Sequence, residues 1–251
     1  MAWTLTADFE SGTLGQPAIG ADACSYAGST TVFNNTRAKT GSRSVRATIS
    51  QGSDGWGEWH GEFTVSAGVP QGGEIWYRIY FYYPTGWDWS TFTGGSMWTK
   101  IMRIPFSATS SKVSILARNG GGIWIGNELT SNDQNSGVAF GYDAWVCIEL
   151  YMYVHSNASQ GIIRAWKNGI LIHQRFDQTL PSSGATTSTG IMLFNQWNNG
   201  APQTQSCWTD AAKITDIQPA NQDAAGNYMI GPTDWGGGPQ PPAAPTNLRL
   251  V

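Results

Sequence analysis

The chain has 251 residues, with 14 Lys or Arg against 17 Asp or Glu and a formal net charge of −3. Only 12% of residues are charged, against roughly 25% in ordinary soluble domains. No basic footprint exists to neutralise phosphates, which excludes nucleic acid as a dedicated partner, and no apolar run approaches the ~18 residues of a membrane span. Glycine (31) and tryptophan (13) are abundant. Glycine marks turns, and many indoles among few charges suit a protein that stacks on sugar rings.

Taken in chain order, the opening MAWTLTADFE has neither a basic n-region nor a long apolar h-region, so it does not read as a signal peptide as written. Runs of period-two alternation bounded by Gly, Asn, Ser and Pro then predict strands at Ser44–Ile49, Gly61–Val65, Glu74–Tyr83, Met97–Ile104, Lys112–Ala117 and Gly122–Gly126. The same signal continues at Trp145–His155, Gly161–Lys167, Ile170–Phe176, Gly190–Trp197 and Cys207–Ile217. Asn168-Gly169 between two such runs predicts a type I′ hairpin, because both residues tolerate positive φ. No window of a dozen residues holds helical spacing. Strands without helices imply an all-β, two-sheet antiparallel sandwich. The domain is expected to span 1–235. From Gly236 the Gly/Pro-rich GGGPQPPAAPTNLRLV reads as a linker whose end resembles the opening of a fibronectin type III domain, so a monomeric unit of a longer modular protein is expected. Cys24, Cys147 and Cys207 show no zinc spacing; a Cys24–Cys207 disulfide and three buried thiols are both compatible with the sequence.

Parity assigns faces to the long strands. Val146, Ile148, Leu150, Met152 and Val154 form a core face, as do Ile75, Tyr77, Ile79, Phe81 and Tyr83. The opposite faces carry Trp145, Cys147, Glu149, Tyr151, Tyr153 and His155; Trp76, Arg78, Tyr80 and Tyr82; and Arg164 with Trp166. Aromatic rings interspersed with isolated ionisable groups predict a concave saccharide cleft.

DFESGTLG, EIWYRIYFYYP with the later KIMRI, WVCIELYMYVH…GIIRAWKNGILI and WTDAAKITDIQPA…GNYMIGP together resemble the concanavalin A-like jelly roll, in its polysaccharide-lyase and laminin-G-like branches. The resemblance spans roughly residues 5–232. The R-[ST]-E-x-R and Q-I-H strings of alginate lyases and the E-x-D-x-E strand of β-glucanases are absent, so no single polysaccharide is assigned. The resemblance implies a secreted, extracellular protein that cleaves a uronate-containing glycan by β-elimination. That chemistry needs a group to neutralise the carboxylate, a base for the C5 proton and an acid for the leaving oxygen. His60 is the expected base, Arg78 the carboxylate clamp, and Tyr151 or Tyr153 the acid, with Glu149 orienting Arg78. Tyr80, Tyr82, Lys100, Arg103, Arg164, Trp166, Asn195, Gln196 and Trp197 are expected along the substrate; by parity, at most one of Lys100 and Arg103 faces it. A glycoside hydrolase using Glu149 with Glu58, Glu62 or Glu74 is one alternative. A non-catalytic carbohydrate-binding module or lectin, with Trp56, Trp59, Trp87, Trp89, Trp124 and Trp197 as platform, is another. No cofactor is expected for the chemistry. The resemblance further implies a structural calcium held by Glu10 and Asp210, since oxygen ligands suit that ion.

Overall fold

The computed structural model describes residues 2–55, 58–65, 68–105, 112–157, 159–180 and 190–232. The strands are β1 (Thr4–Ala7), β2 (Tyr26–Ala27), β3 (Thr31–Asn34), β4 (Ser44–Ile49), β5 (Gly61–Thr64), β6 (Glu74–Tyr82), β7 (Thr99–Pro105), β8 (Lys112–Arg118) and β9 (Gly122–Asn127). They continue as β10 (Asn132–Ala139), β11 (Trp145–Tyr153), β12 (Gly161–Lys167), β13 (Ile170–Gln178), β14 (Gly190–Trp197), β15 (Gln205–Thr215), β16 (Asn221–Gln222) and β17 (Tyr228–Met229). Among the described residues the only helical element is a single 3-10 turn at Asn119–Gly121, and no helix is long and apolar enough to cross a membrane. The expected linker from Gly236 lies outside the described residues.

Two antiparallel sheets stack as the expected jelly-roll sandwich. The eight-stranded sheet runs β13-β12-β11-β6-β15-β4-β3, with β1 paired to the far half of β15. The seven-stranded sheet runs β10-β9-β8-β7-β14-β5-β2. The parity reading of β6 and β11 holds: Ile75, Tyr77, Ile79, Phe81, Val146, Ile148, Leu150 and Met152 all lie in the shared core. Asn168 (φ 51°) and Gly169 (φ 80°) close the β12–β13 hairpin in the left-handed region, as a type I′ turn requires. All eleven predicted strands are present. The long β10 escapes alternation analysis because its sequence, NDQNSGVA, is polar and forms a solvated sheet edge.

Trp87 and Trp89, between β6 and β7, point inward. Trp87, Trp89 and Trp197 pack with Tyr83 and Phe140 at one end of the core, with ring centroids 4.7–6.0 Å apart. Trp197 is wholly buried, and its indole donates to the Ser90 carbonyl. Trp59 is also fully buried, donating to Ser53 Oγ. These rings are structural rather than a sugar platform; Trp56 lies outside the described residues. Cys24, Cys147 and Cys207 are free, buried thiols. Burial pushes the Cys24 thiol up to about 12, so it stays protonated at neutral pH. Trp197→Ala is expected to cost about 3–5 kcal/mol, because the surrounding rings cannot collapse into the space of an indole; urea denaturation measures the loss.

Candidate functional site

The expected site residues fall on three different surfaces. Arg78, Tyr80, Tyr82, Glu149, Tyr151, Tyr153, Arg164 and Trp166 lie on the outer face of the eight-stranded sheet, as parity requires. His60, Lys100, Arg103 and Gln196 lie on the seven-stranded sheet, on the opposite side of the sandwich. Trp197 is in the core between them. Asn195 is on β14, but its side chain lies outside what the structure describes.

Much of the eight-stranded sheet's outer face is covered by the chain itself. The segment 221–232 crosses it as a strap. Met229 and Ile230 pack on Trp76, Tyr151 and Trp166. Trp76 donates to the Tyr228 carbonyl at 2.9 Å, and Trp166 donates to Asp223 Oδ2 at 2.8 Å. Arg78 and Glu149, register partners on β6 and β11, both hold Gly231. Arg78 Nη1 donates to the Gly231 carbonyl at 2.8 Å, and the Gly231 N–H donates to both Glu149 oxygens at 3.0 Å. Tyr80 donates to the Pro232 carbonyl. Arg78 is 0% and Glu149 1% exposed. Arg78 as carboxylate clamp and Glu149 as its orienting group or a hydrolase acid are therefore corrected: these charges are spent on backbone, and no sugar reaches them. Tyr151 donates to Glu74 Oε1 at 2.6 Å, and burial with that acceptor pushes its phenol up. Tyr153 flanks the same end, its ring 6.2 Å from His155. Arg164 is held by Gln174 over the Tyr151 ring. The phenols and guanidinium expected to act together thus sit around the strap.

The seven-stranded sheet brings a different group together. A bulge between Lys100 and Met102, matched on β14 between Leu193 and Gln196, shifts the register. An extra residue reverses the parity of everything beyond it. Lys100 and Arg103 therefore share the outer face, overturning the expectation that at most one does. Register places Tyr26, Glu62, Met192, Arg103, Ser114, Gly126 and Asp133 in one row across all seven strands. A second row holds Gln196, Lys100, Leu116, Trp124 and Asn135. Trp98, Lys100, Ser114, Leu116, Gly126, Glu128, Asp133 and Asn198 enclose a cavity of about 300 Å³.

The electrostatics of that cavity are mixed. Arg103 pairs with Glu128 at 2.5 Å, and Lys100 donates to Asn198 Oδ1 at 2.9 Å. Burial and then the Arg103 charge push the Lys100 amine down. The Asp133 carboxyl lies over Gly126, where a Cβ would come within 2.5 Å of it, and partial desolvation raises it. Arg118 lies 3.0 Å from the Trp98 ring centre and 3.9 Å from that of Trp124. His60 lies two strands from β7, about 10 Å across the sheet. It is 8% exposed, packs on the half-exposed Tyr26 ring at 4.9 Å and has Glu62 at 3.7 Å. Neither imidazole nitrogen has a hydrogen-bond partner among the described residues. The packing of Tyr26 on His60 is invisible in the sequence, where nothing marks a two-residue strand.

Glu10 and Asp210 do not meet around an ion. Glu10 accepts from the Ser42 and Arg43 backbone and Ser42 Oγ. Asp210 accepts from the Lys39 and Thr40 amides and from Ala211 N–H. Both carboxylates fasten the loop between β3 and β4, and the described residues contain no cluster of three or more metal-ligating side chains.

No family model matches the sequence, and no curated protein matches it at the sequence level. Solved structures share its fold. A glucuronan lyase from Trichoderma reesei superposes with a TM-score of 0.60 at 12% identity, over 85% of this chain and 94% of that one. The alginate lyase of Aplysia kurodai gives 0.59 at 10% identity over 84% and 97%. The binding domain of botulinum neurotoxin serotype G gives 0.51 at 14% identity over 84% and 46%. At these identities the likeness is one of fold.

Two predictions follow from the buried groups. Arg78→Met is expected to destabilise the protein by about 3–5 kcal/mol in urea, because Glu149 is left buried without its cation; a substrate clamp would instead lose activity and keep its stability. Burial pushes the Asp210 carboxyl up to about 7, against an ordinary value of about 4. The fold thus keeps a proton that the unfolded chain releases, so this group's stabilisation is complete below pH ~4 and lost as pH rises through ~7. Asp210→Asn is expected to flatten that fall, read as the urea midpoint at pH 4, 5.5 and 7.

Proposed function

We propose that this chain is an extracellular polysaccharide lyase that cleaves a uronate-containing glycan by β-elimination on the outer face of the seven-stranded sheet. The observation that carries the reading is the bulge at Lys100, which sets two cations side by side on that face of a fold shared with polysaccharide lyases. Arg103 and Lys100 neutralise the substrate carboxylate, lowering the cost of charge at C5. His60 takes the C5 proton through an imidazole nitrogen free of protein partners. Tyr26, packed on His60 and 43% exposed, protonates the leaving oxygen in place of the strap-side Tyr151 and Tyr153. Gln196 lies between these groups on β14, where it lines the path of the chain. Trp98, Arg118 and Trp124 form a stacked wall at the far end.

A non-catalytic carbohydrate-binding role is the second reading. The extensive burial of His60 favours it, and so does the presence of this fold in a toxin's binding domain. Incubation with alginate and polyglucuronate separates the two: elimination leaves an unsaturated uronate whose ultraviolet absorbance grows with time. Arg103→Ala and His60→Ala are expected to lower that rate at least about 100-fold with folding retained, as loss of an electrostatic or acid–base catalyst does. Retention on the polymers with no absorbance change establishes the binding role instead.

A further inference from the structure

Among the described residues the strap ends at Pro232, against Tyr80, and the next row of the eight-stranded sheet's outer face is built differently: Arg37 lies over Tyr82 (8% exposed) and Trp208 (9%), and Trp145 and Arg37 are half-buried. Register sets Trp145, Tyr82, Trp208 and Arg46 in a single row across β11, β6, β15 and β4. The row spans three strand spacings, roughly 14 Å. Tyr82 meets Trp145 edge-on at 5.6 Å and Trp208 at 6.0 Å. Arg37, from the loop between β3 and β4, lies over both the Tyr82 ring (4.3 Å) and the Trp208 ring (4.9 Å). Its Nη1 donates to Tyr82 Oη at 2.9 Å, and its remaining N–H groups have no acceptor among the described residues. The nearby acid, Asp143, is engaged by Thr85 N, Thr85 Oγ1 and Tyr82 Oη. Trp208 Nε1 is fixed by Asn34 Oδ1 at 3.0 Å.

We infer that the Trp145–Tyr82–Trp208 row under Arg37 is a second, non-catalytic binding site for an acidic glycan. The half-buried Trp145, held at a fixed angle, offers stacking surface without further ordering cost, while Tyr82 and Trp208 support Arg37 from beneath. A guanidinium already held flat on two rings, with donors in reserve, suits a carboxylate better than a hydroxyl. Arg46 and Lys39 extend the positive charge along the same end. Glu10 and Asp210 serve this site, because they pin the loop at residues 39–43 that presents Arg37. The site faces away from Lys100 and Arg103, so one chain cannot lie straight across both; it would hold the polymer while another stretch is processed.

Native electrophoresis through gels containing alginate, polyglucuronate or neutral hydroxyethyl cellulose tests this. Acidic polymers are expected to retard the protein and the neutral one not. Arg37→Ala and Trp145→Ala should each weaken retardation about tenfold. Arg37→Lys should recover only part, since the ammonium lacks the planar fork. Thermal melts confirm folding, and Trp145→Ala decides if Arg37→Ala does not fold. Unchanged retardation in both variants, no retardation of the parent protein, or equal retardation by the neutral polymer overturns the proposal. Elimination activity is scored separately, so loss of the lyase reading leaves this outcome legible.

Discussion

The contact on which the molecule's layout depends is the capture of one peptide unit, that of Gly231, by Arg78 and Glu149. Two opposite charges in the middle of a sheet face would be expensive to bury unpartnered. Here the carboxylate meets an N–H, the guanidinium meets a carbonyl, and both belong to the same residue. Gly231 has φ 86°, a conformation glycine adopts without strain, and a Cβ there would sit 3.0 Å from Asn221 Nδ2. The strap therefore closes over Trp76, Tyr151 and Trp166 with its polar atoms satisfied. This contact covers the Trp76, Tyr151 and Trp166 part of the aromatic face; at the Tyr82 end it is Arg37 that lies over the rings among the described residues.

The second constraint is the bulge on β7. Without it Lys100 would point into the core, where an ammonium has no partner. With it, Lys100 and Arg103 stand on one face beside Glu128, Asp133 and the Trp98–Arg118–Trp124 stack. Lys100, Glu128 and Asp133 bring one cation and two carboxylates to the lining of that cavity. The two faces of the sandwich thus differ: charged side chains beside a cavity on the seven-stranded sheet, and an aromatic–arginine row on the other.

Alternation along β6, β11, β12 and β14 made the core, the hairpin at Asn168-Gly169 and the outward side of each strand readable, because side chains in a strand must alternate and water sorts them. His60, Lys100, Arg103 and Gln196 were also recognisable as candidates. Their grouping was not. Parity says which way a side chain points from its own sheet and nothing about which sheet that is, so Arg78 and Arg103 looked like members of one site when they stand on opposite sides of the sandwich.

The sequence by itself determined the all-β class, the strand positions and the inward and outward sets, since these follow from local periodicity and turn chemistry. Tertiary structure alone decided which outward face stays open. The strap is a segment of scattered apolar residues and glycines with no strong periodicity of its own, and it finds its place through distant partners such as Arg78, Glu149 and Trp76, about 80 to 150 positions earlier in the chain. The bulge likewise exists only as a relation between β7 and its neighbours. Long-range pairing, not local preference, placed the charges of this protein.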